Sequence, residues 1–263
     1  MNVIVCVKHV PKCAEAEVKI APTGKDIEKQ GLVYDINEWD DYAVEEAVRI
    51  KEKLGGTVTV ITVGPEEANS TLRKCLARGA DQAIRIYDPK LAGSDPYVIA
   101  KVLYNVIKNM QFDLILTGVQ AEDDGSALVG PVLAEFLKIP HATMVKKLEL
   151  KDKSTAIVHR ELEGGLMEVV EVKLPALFAV QTGINEPRYV SILGIRRAMQ
   201  KEIKVLSLKD IGLDESEVGV AGSWTVIDKL FIPPAEKICQ FLKGNPEEVS
   251  LKILEILRSR GLL

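Results

Sequence analysis

The chain has 263 residues, of which 47% are hydrophobic and 27% charged, so its composition is that of a globular protein with a sizeable core. Its 34 basic residues are outnumbered by 38 acidic ones, which gives a net charge of −4. Proteins that bind nucleic acid nonspecifically are usually basic, and an aromatic share of 5% offers few rings for base stacking. Composition therefore excludes a disordered chain and argues against a nucleic-acid partner.

The four cysteines form no CxxC pair, and the three histidines lie far apart in the sequence. This pattern predicts reduced structural thiols and no metal site. The N-terminal apolar run, Val3–Val7, is shorter than the roughly 7–15 residues of a signal sequence and the roughly 20 of a membrane helix. We therefore expect a cytoplasmic protein that does not itself span a membrane.

Short runs of β-branched residues alternate with amphipathic stretches along most of the chain. The runs predict strands at Val3–Val7, Thr57–Val63, Gln82–Tyr87, Asp113–Thr117 and Leu177–Gln181. The stretches between the first four strands and after the fourth predict helices at Asp41–Leu54, Glu66–Arg78, Pro96–Asn109 and Gly125–Leu137. Buried strands that alternate with helices imply right-handed βαβ units and a parallel sheet. We therefore predict a doubly wound α/β domain over residues 1–205.

An antiparallel hairpin is predicted within this domain. Residues 146–159 and 168–173 alternate between apolar and polar side chains, and Asp152–Ser154 has the composition of a turn. We expect these segments to form a hairpin appended to the main sheet.

The C-terminal part of the chain follows neither pattern. Residues 206–232 are predicted to be a linker, because Leu208–Gly222 is acidic and rich in glycine and serine without clear periodicity. Residues 233–263 predict a helical arm with apolar side chains at Val249, Ile253, Ile256 and Leu257. A lone helix cannot bury such a face unless it packs on its own domain or on a partner.

The loop after the fourth predicted strand is the most informative one, because ligands of parallel sheets bind beyond the carboxyl ends of the strands. It leaves the strand at Gly118, turns through Asp123–Ser126 and then enters a predicted helix. Free amides at a helix N-terminus and a small hydroxyl group suit a phosphate; an ordinary helix cap is the alternative. No GxGxxG follows the first strand and no GxxxxGK[ST] occurs, so neither a standard dinucleotide fold nor a P-loop NTPase is supported.

No catalytic residue is predicted. Ser126 has no histidine close in sequence, and no GxSxG motif occurs. Adjacent acids such as Asp40-Asp41 and Glu45-Glu46 point in different directions on a helix, so we expect them to form a solvated face. The residues alone indicate an α/β domain with a nucleotide site and without catalytic machinery.

Five motifs carry further information, and they occur in a fixed order. They are CVKHVP, DINEWDDYAVEEAVRIKEK, VGPEEANSTLRKCLARGADQAIRI, TGVQAEDDGSALVGPVLAEFL and HRELEGGLMEVVEVKLPALFAVQTGINEPRYVSILGIRRAMQKEI. Together they resemble the beta subunit of an electron transfer flavoprotein over about residues 1–205. The resemblance implies an adenine nucleotide alpha hydrolase-like fold, a heterodimer with an alpha subunit, and a C-terminal arm that packs on that subunit.

The resemblance also implies a nucleotide buried in this chain, besides the mobile redox flavin that the alpha subunit and the arm hold. The matching positions in this sequence are Val7, Lys8, Asn37, Val63, Gly118, Gln120, Asp123, Ser126, Ala127, Leu128, Val129 and Gly130. Asn37 would read the adenine with its amide donor and acceptor, or it would cap the following helix.

Residues for partner docking are implied in the same way. Residues 185–198 match the family's recognition loop, which docks on acyl-CoA dehydrogenases. Ile192 matches its apolar anchor and Tyr189 lies beside it; the alternative is that Ile192 packs inside the chain. Glu161 matches a family glutamate linked to the orientation of the mobile flavin domain, and a surface salt bridge is its alternative.

The nucleotide is expected to be FAD, with AMP as the alternative. Ala127, Leu128 and Val129 stand where AMP-binding members carry polar side chains, and the run from Ser126 to Pro131 is closer to that of electron-bifurcating members. Glu122 and Leu128 depart from the bifurcating pattern. The resemblance then implies NADH, ferredoxin, and an acyl-CoA dehydrogenase or a quinone-linked oxidoreductase as partners. A nucleotide-sensing module is the alternative of a different class, but it would need neither a docking loop nor an arm.

Overall fold

A computed structural model describes residues 1–13, 16–233 and 239–263 and divides the chain into two compact units, Met1–Asp228 and Lys229–Leu263. The described strands are β1 (Val3–Cys6), β2 (His9–Pro11), β3 (Tyr34–Ile36), β4 (Val58–Val63), β5 (Gln82–Ile86), β6 (Leu114–Gly118), β7 (His141–Leu150), β8 (Thr155–Glu161), β9 (Met167–Lys173), β10 (Ala176–Val180) and β11 (Ile203–Leu206). The described α-helices are α1 (Glu38–Leu54), α2 (Asn69–Arg78), α3 (Pro96–Ile107), α4 (Val129–Leu137), α5 (Ile192–Gln200), α6 (Leu208–Ile211), α7 (Gly219–Gly222) and α8 (Pro246–Ser259).

Nine of the described strands of the first unit form a mixed sheet of doubly wound topology, while β2 and β3 pair antiparallel in a separate two-stranded sheet. The strand order of the larger sheet is β11-β5-β4-β1-β6-β10-β7-β8-β9, and the pairs from β11 to β7 are parallel. The chain moves outward from β1 to β4 and β5, then returns to place β6 on the other side of β1. The topological switch point therefore lies between the carboxyl ends of β1 and β6.

Helices cover both faces of this sheet, as the alternation of strands and helices predicts. Val3 and Val5 of β1 pack in one apolar layer with residues of α1, α2 and α5. Ile4 and Cys6 point the other way, into a layer with α3, α4 and α6. Because side chains alternate across a strand, a strand buried on both faces is apolar at every position.

The predicted hairpin is larger in the structure. β7 and β8 pair antiparallel across the predicted turn, as expected, and β8 pairs antiparallel with β9. In addition, β7 begins at His141 and pairs in parallel with β10. The result is a three-stranded antiparallel extension that is continuous with the main sheet. The helix predicted over Gly125–Leu137 also differs, since α4 begins only at Val129. Gly125 and Ala127 have φ values of 60° and 53°, and this left-handed backbone cannot continue a right-handed helix.

The segment 206–232, for which the sequence indicates a linker, is folded over much of its length. β11 pairs with β5 at the sheet edge and ends at Leu206, and Leu208, Ile211 and Val218 are buried in the core beneath α3. These apolar residues are too widely spaced to show a period, so the sequence pattern does not reveal their burial. The boundary between the two units lies at Asp228 instead.

The second unit contains the amphipathic helix α8, and no residue of this helix is buried. Residues 234–238 of the predicted arm lie outside the described residues. Packing of the arm on an alpha subunit stays a prediction. None of the helices in the described parts of the chain is both long and apolar enough to cross a membrane.

Candidate functional site

A cavity of about 220 Å³ lies at the switch point, beyond the carboxyl ends of β1 and β6. Its walls bring together predicted residues that are far apart in sequence: Val7, Lys8, Asn37, Val63, Gly118, Gln120, Ser126, Ala127, Leu128, Val129 and Gly130. Asp123 does not line the cavity, but its carboxylate accepts a hydrogen bond of 2.7 Å from Lys8 Nζ. The predicted site residues thus surround one cavity, and Asp123 contacts one of them.

Asp40 also lines the cavity, and the prediction that it belongs to a solvated face is wrong. Its carboxylate is buried and accepts hydrogen bonds from the backbone N–H of Lys8 at 2.7 Å and of Gly118 at 2.8 Å. It therefore bridges the ends of β1 and β6 and sets the width of the cavity between them. Burial raises the pKa of Asp40 to about 7, although the two N–H donors oppose this shift. In the sequence, only its position three residues after Asn37, at the start of α1, could have indicated that Asp40 lies at the cavity.

Asn37 holds the loop between β6 and α4. Its Nδ2 donates to the carbonyl oxygen of Gln120 at 2.8 Å, and its Oδ1 accepts from the N–H of Glu122 at 3.0 Å. It stands at the N-cap position of α1, but its side chain makes no capping hydrogen bond. An amide has two donor hydrogens and two acceptor lone pairs. The Asn37 side chain also hydrogen bonds to the Asp40 carboxylate, which opposes the rise of the Asp40 pKa, so an acceptor lone pair is what remains for a ligand.

A run of free backbone amides belongs to the cavity wall where α4 begins. Among the described residues, the N–H groups of Ala127, Leu128, Val129 and Gly130 have no hydrogen-bond acceptor. All four residues line the cavity. Unpaired amides at a helix N-terminus carry partial positive charge and bind anions, so the donor set fits a phosphate group.

The cation of the cavity is already paired. Lys8 Nζ contacts carboxylate oxygens of Asp123 at 2.7 Å and Asp124 at 2.8 Å. Burial alone would lower the pKa of Lys8, but these two carboxylates outweigh it and raise the pKa. No other Lys or Arg of the described chain lines the cavity, whereas Asp40 and Asp124 do. An anion bound here would depend on the backbone amides rather than on a free positive charge.

Gly130 is required for the packing of α4 on the sheet. A Cβ atom at this position would lie 2.9 Å from Thr117 Oγ1 and 3.4 Å from Leu177 Cδ2, and both belong to the sheet. The absence of a side chain lets the start of α4 lie close to β6 and β10. The free amides are thereby held against the end of the sheet.

The predicted docking residues lie on the surface, away from the core. Tyr189 is 99% exposed and Ile192 is 85% exposed, so Ile192 is not packed inside the chain. Ile192 is the first residue of α5, and the Ser191 hydroxyl caps this helix by accepting from the N–H of Gly194. Ile195 and Met199 follow three and seven residues later and are also exposed. We call Ile192, Ile195 and Met199, which share one helix face, the docking stripe.

Glu161 lies in a chain of polar contacts that reaches α1. Its carboxylate accepts from Lys146 Nζ at 3.1 Å and from Gln181 Nε2 at 3.3 Å. Gln181 Oε1 in turn accepts from Trp39 Nε1 at 2.7 Å. Arg160, the neighbour in sequence, pairs with Glu168 instead. Glu161 thus does form a salt bridge at the surface, and it is also linked to the helix that borders the cavity.

Comparison with known proteins identifies the family. Residues 26–211 match the model of the Electron transfer flavoprotein domain. The chain belongs to the electron transfer flavoprotein family. It is 39% identical over 98% of both chains to the "Electron transfer flavoprotein subunit beta" of Methylophilus methylotrophus, and 42% identical over 99% of both to that of Bacillus subtilis. It is also 37% identical over 100% of both chains to the "Caffeyl-CoA reductase-Etf complex subunit CarD" of Acetobacterium woodii.

These matches establish the chain as a beta-type electron transfer flavoprotein subunit, because they extend over its full length. Its function is electron transfer within such a flavoprotein, and it pairs with an alpha subunit.

Proposed function

We propose that this chain holds FAD in the cavity between β1 and β6 and serves in flavin-based electron bifurcation, as one half of a heterodimer with an alpha subunit. Bound FAD supplies a flavin ring that exchanges electrons, and the protein supplies binding, orientation and electrostatics. AMP in the same cavity, with FAD in the alpha subunit alone, is the alternative. It corresponds to a simple electron carrier.

The free amides of residues 127–130 carry this proposal. They offer partial positive charge but no full charge, and Lys8 is already neutralised by Asp123 and Asp124. The terminal phosphate of AMP is a monoester with a charge of about −1.5 to −2 at neutral pH. The pyrophosphate of FAD carries a similar total charge, but it is divided over two phosphates with one negative charge each. Backbone N–H groups can hold such singly charged groups without a cation. The lack of polar side chains at Ala127, Leu128 and Val129, where AMP-binding members carry them, is the feature that favours FAD.

The remaining side chains of the site orient the nucleotide. Asn37 keeps an acceptor lone pair for the amino group of adenine, while its other bonds hold the loop and contact Asp40. Val7 and Val63 line the cavity with apolar surface, which suits the flat faces of a base. Asp40 keeps the two strand ends at the spacing that the cavity requires.

The electron partners are proposed from the docking stripe and from the relatives. One relative is named as a subunit of a caffeyl-CoA reductase-Etf complex. An exposed apolar stripe on a short helix fits an apolar surface groove on a partner. We propose an acyl-CoA dehydrogenase as that partner, with a quinone-linked oxidoreductase as the second candidate, and NADH and ferredoxin as the further substrates of bifurcation.

The heterodimer should contain two FAD molecules, one of them in this chain. Acid extraction of the purified complex, followed by chromatography and quantification against protein, measures both flavin and AMP. One FAD and one AMP per heterodimer would contradict bifurcation and leave the simple electron carrier. A complex without any flavin would contradict an electron-transfer role and favour a nucleotide sensor.

Ile192→Ala should raise the apparent KM for the partner dehydrogenase about 30-fold, because a buried interface anchor contributes about 2 kcal/mol. Flavin content should not change, since Ile192 lies outside the cavity. Val33→Ala is the matched control, because Val33 is an exposed apolar residue outside the docking stripe. Equal KM values for the two variants would show that Ile192 makes no contact with the partner.

A further inference from the structure

The segment that leads into the docking stripe is held by two buried glutamates of α1. Glu45 is 3% exposed and Glu46 is 8% exposed, whereas the sequence predicts a solvated face for this pair. The Glu45 carboxylate accepts hydrogen bonds from the backbone N–H of Arg188 at 3.1 Å, from its Nε at 3.0 Å and from its Nη2 at 2.9 Å. This is a forked ion pair in which the carboxylate is almost fully removed from water.

Further contacts fix both ends of the same segment. The guanidinium of Arg188 also contacts the carboxylate of Glu52, about two turns further along α1. Asn185 Nδ2 donates to Glu46 Oε2 at 2.9 Å and to the carbonyl oxygen of Tyr42 at 3.1 Å. The first residue after Arg188 is Tyr189, which is 99% exposed. The chain thus passes directly from a buried anchor to the exposed docking surface.

Removal of the arginine would leave Glu45 buried without its cationic partner, which is costly in a protein interior. The fork of the guanidinium also fixes direction, because two parallel bonds to one carboxylate permit only one orientation. Few conformations of residues 189–192 are therefore compatible with the anchored Arg188. A surface that is ordered before it meets a partner loses less entropy on binding.

We infer that Arg188 is a positioning residue for partner docking: its ion pairs with Glu45 and Glu52 hold the docking stripe in the orientation that the partner dehydrogenase binds. The inference rests on the proposed docking of an acyl-CoA dehydrogenase at Ile192. Arg188 acts through the stripe, because its guanidinium is occupied by the two glutamates.

A double-mutant cycle on the heterodimer tests this inference. The variants are Arg188→Gln, Ile192→Ala and the combination of both, and the probe is a purified short-chain acyl-CoA dehydrogenase reduced with butyryl-CoA. Arg188→Gln should raise the apparent KM for the dehydrogenase about tenfold with an unchanged rate at saturation. In the Ile192→Ala background the same substitution should have almost no effect on KM, because the anchor that it positions is already absent.

Two further measurements separate positioning from general destabilisation. Hydrogen exchange of the amides of residues 189–193 should accelerate in Arg188→Gln, while the exchange of β1 and β6 stays as in the unchanged protein. Arg188→Lys, which keeps one charged contact, should have an apparent KM between those of the unchanged protein and of Arg188→Gln. Arg49→Gln is the matched control, because Arg49 pairs with Glu46 on the same helix but lies half exposed at the surface.

Each outcome decides a different point. Additive effects of the two substitutions on KM, or unaltered exchange at residues 189–193, would overturn the positioning role and leave the docking proposal intact. An unchanged KM in Ile192→Ala would overturn the docking proposal and the inference together. If Arg188→Gln folds poorly, Glu45→Gln takes its place in the experiment. It keeps the side-chain volume, removes the charge that pairs with Arg188, and should raise the apparent KM about tenfold.

Discussion

Gly118→Ala should destabilise the chain by about 3 kcal/mol and leave the purified heterodimer without its beta-bound nucleotide. A Cβ atom at Gly118 would lie 2.7 Å from Trp39 Cβ and 3.1 Å from the backbone nitrogen of Asp40, and would overlap the Asp40 carboxylate. The start of α1 would have to move, because backbone cannot give way as a flexible side chain can. This shift would break the hydrogen bonds by which Asp40 joins β1 to β6.

Gly125→Ala is the matched control for this prediction, because it adds the same methyl group in the same loop. Nothing lies within 4 Å of a Cβ at Gly125, and only its left-handed φ of 60° opposes the substitution. We expect a loss of about 1 kcal/mol and full retention of the nucleotide. Urea unfolding and acid extraction measure the two effects. Equal losses of nucleotide in both variants would contradict the role of Gly118 and Asp40 in shaping the cavity.

Truncation after Asp228 should abolish assembly with the alpha subunit. Both apolar layers of the sheet lie within residues 1–228, so the truncated chain is expected to fold. The removed unit carries α8, whose residues are all at least partly exposed. A helix of this length gains little stability unless its apolar face is covered. Size-exclusion chromatography with the alpha subunit should show a separate truncated chain where the full chain forms a 1:1 complex.

Point variants of α8 sharpen the same test. Ile253→Asp places a charge on the apolar stripe of α8 and should weaken assembly strongly. Arg258→Asp introduces the same side chain on the opposite face and should leave assembly nearly unchanged. Co-elution of the truncated chain with the alpha subunit, at unchanged flavin content, would mean that the arm is dispensable for the complex.

Helix α1 connects the two functional regions of the first unit. Its first turn carries Asp40, which holds the cavity, and its later turns carry Glu45 and Glu52, which hold Arg188. A helix of 17 residues extends about 25 Å. The cavity proposed to hold the nucleotide and the segment proposed to position the docking stripe are thus both held by one helix, with Trp39 linking it also to Gln181 and Glu161.

The sequence by itself determined the layout of the sheet and the edge at which the cavity lies. Strands buried on both faces are apolar throughout, and amphipathic helices have a period of 3.6 residues, so β1, β4, β5, β6 and the helices between them were visible as patterns. The carboxyl ends of parallel strands must lie at one edge of the sheet. For this reason the order of strands and helices along the chain predicted that the loops after β1, β4 and β6 come together at one edge. That Val7, Val63 and Gly118 hold a nucleotide there was implied only by the resemblance and stays a prediction.

Only the tertiary structure decided what single polar residues do. Asp40, Glu45 and Glu46 belong to the same helix and have the same acidic character as solvated residues, and no local pattern distinguishes them. Their partners are Lys8, Gly118, Asn185 and Arg188, which are separated from them by between 32 and 143 positions in sequence. Likewise, α4 begins at Val129 because of left-handed backbone at Gly125 and Ala127. β11 is held by its pairing with β5, and α6 by a few apolar contacts with the core. Periodicity reports which face of an element is buried, but the pairing of a buried charge depends on which distant elements the fold brings against it.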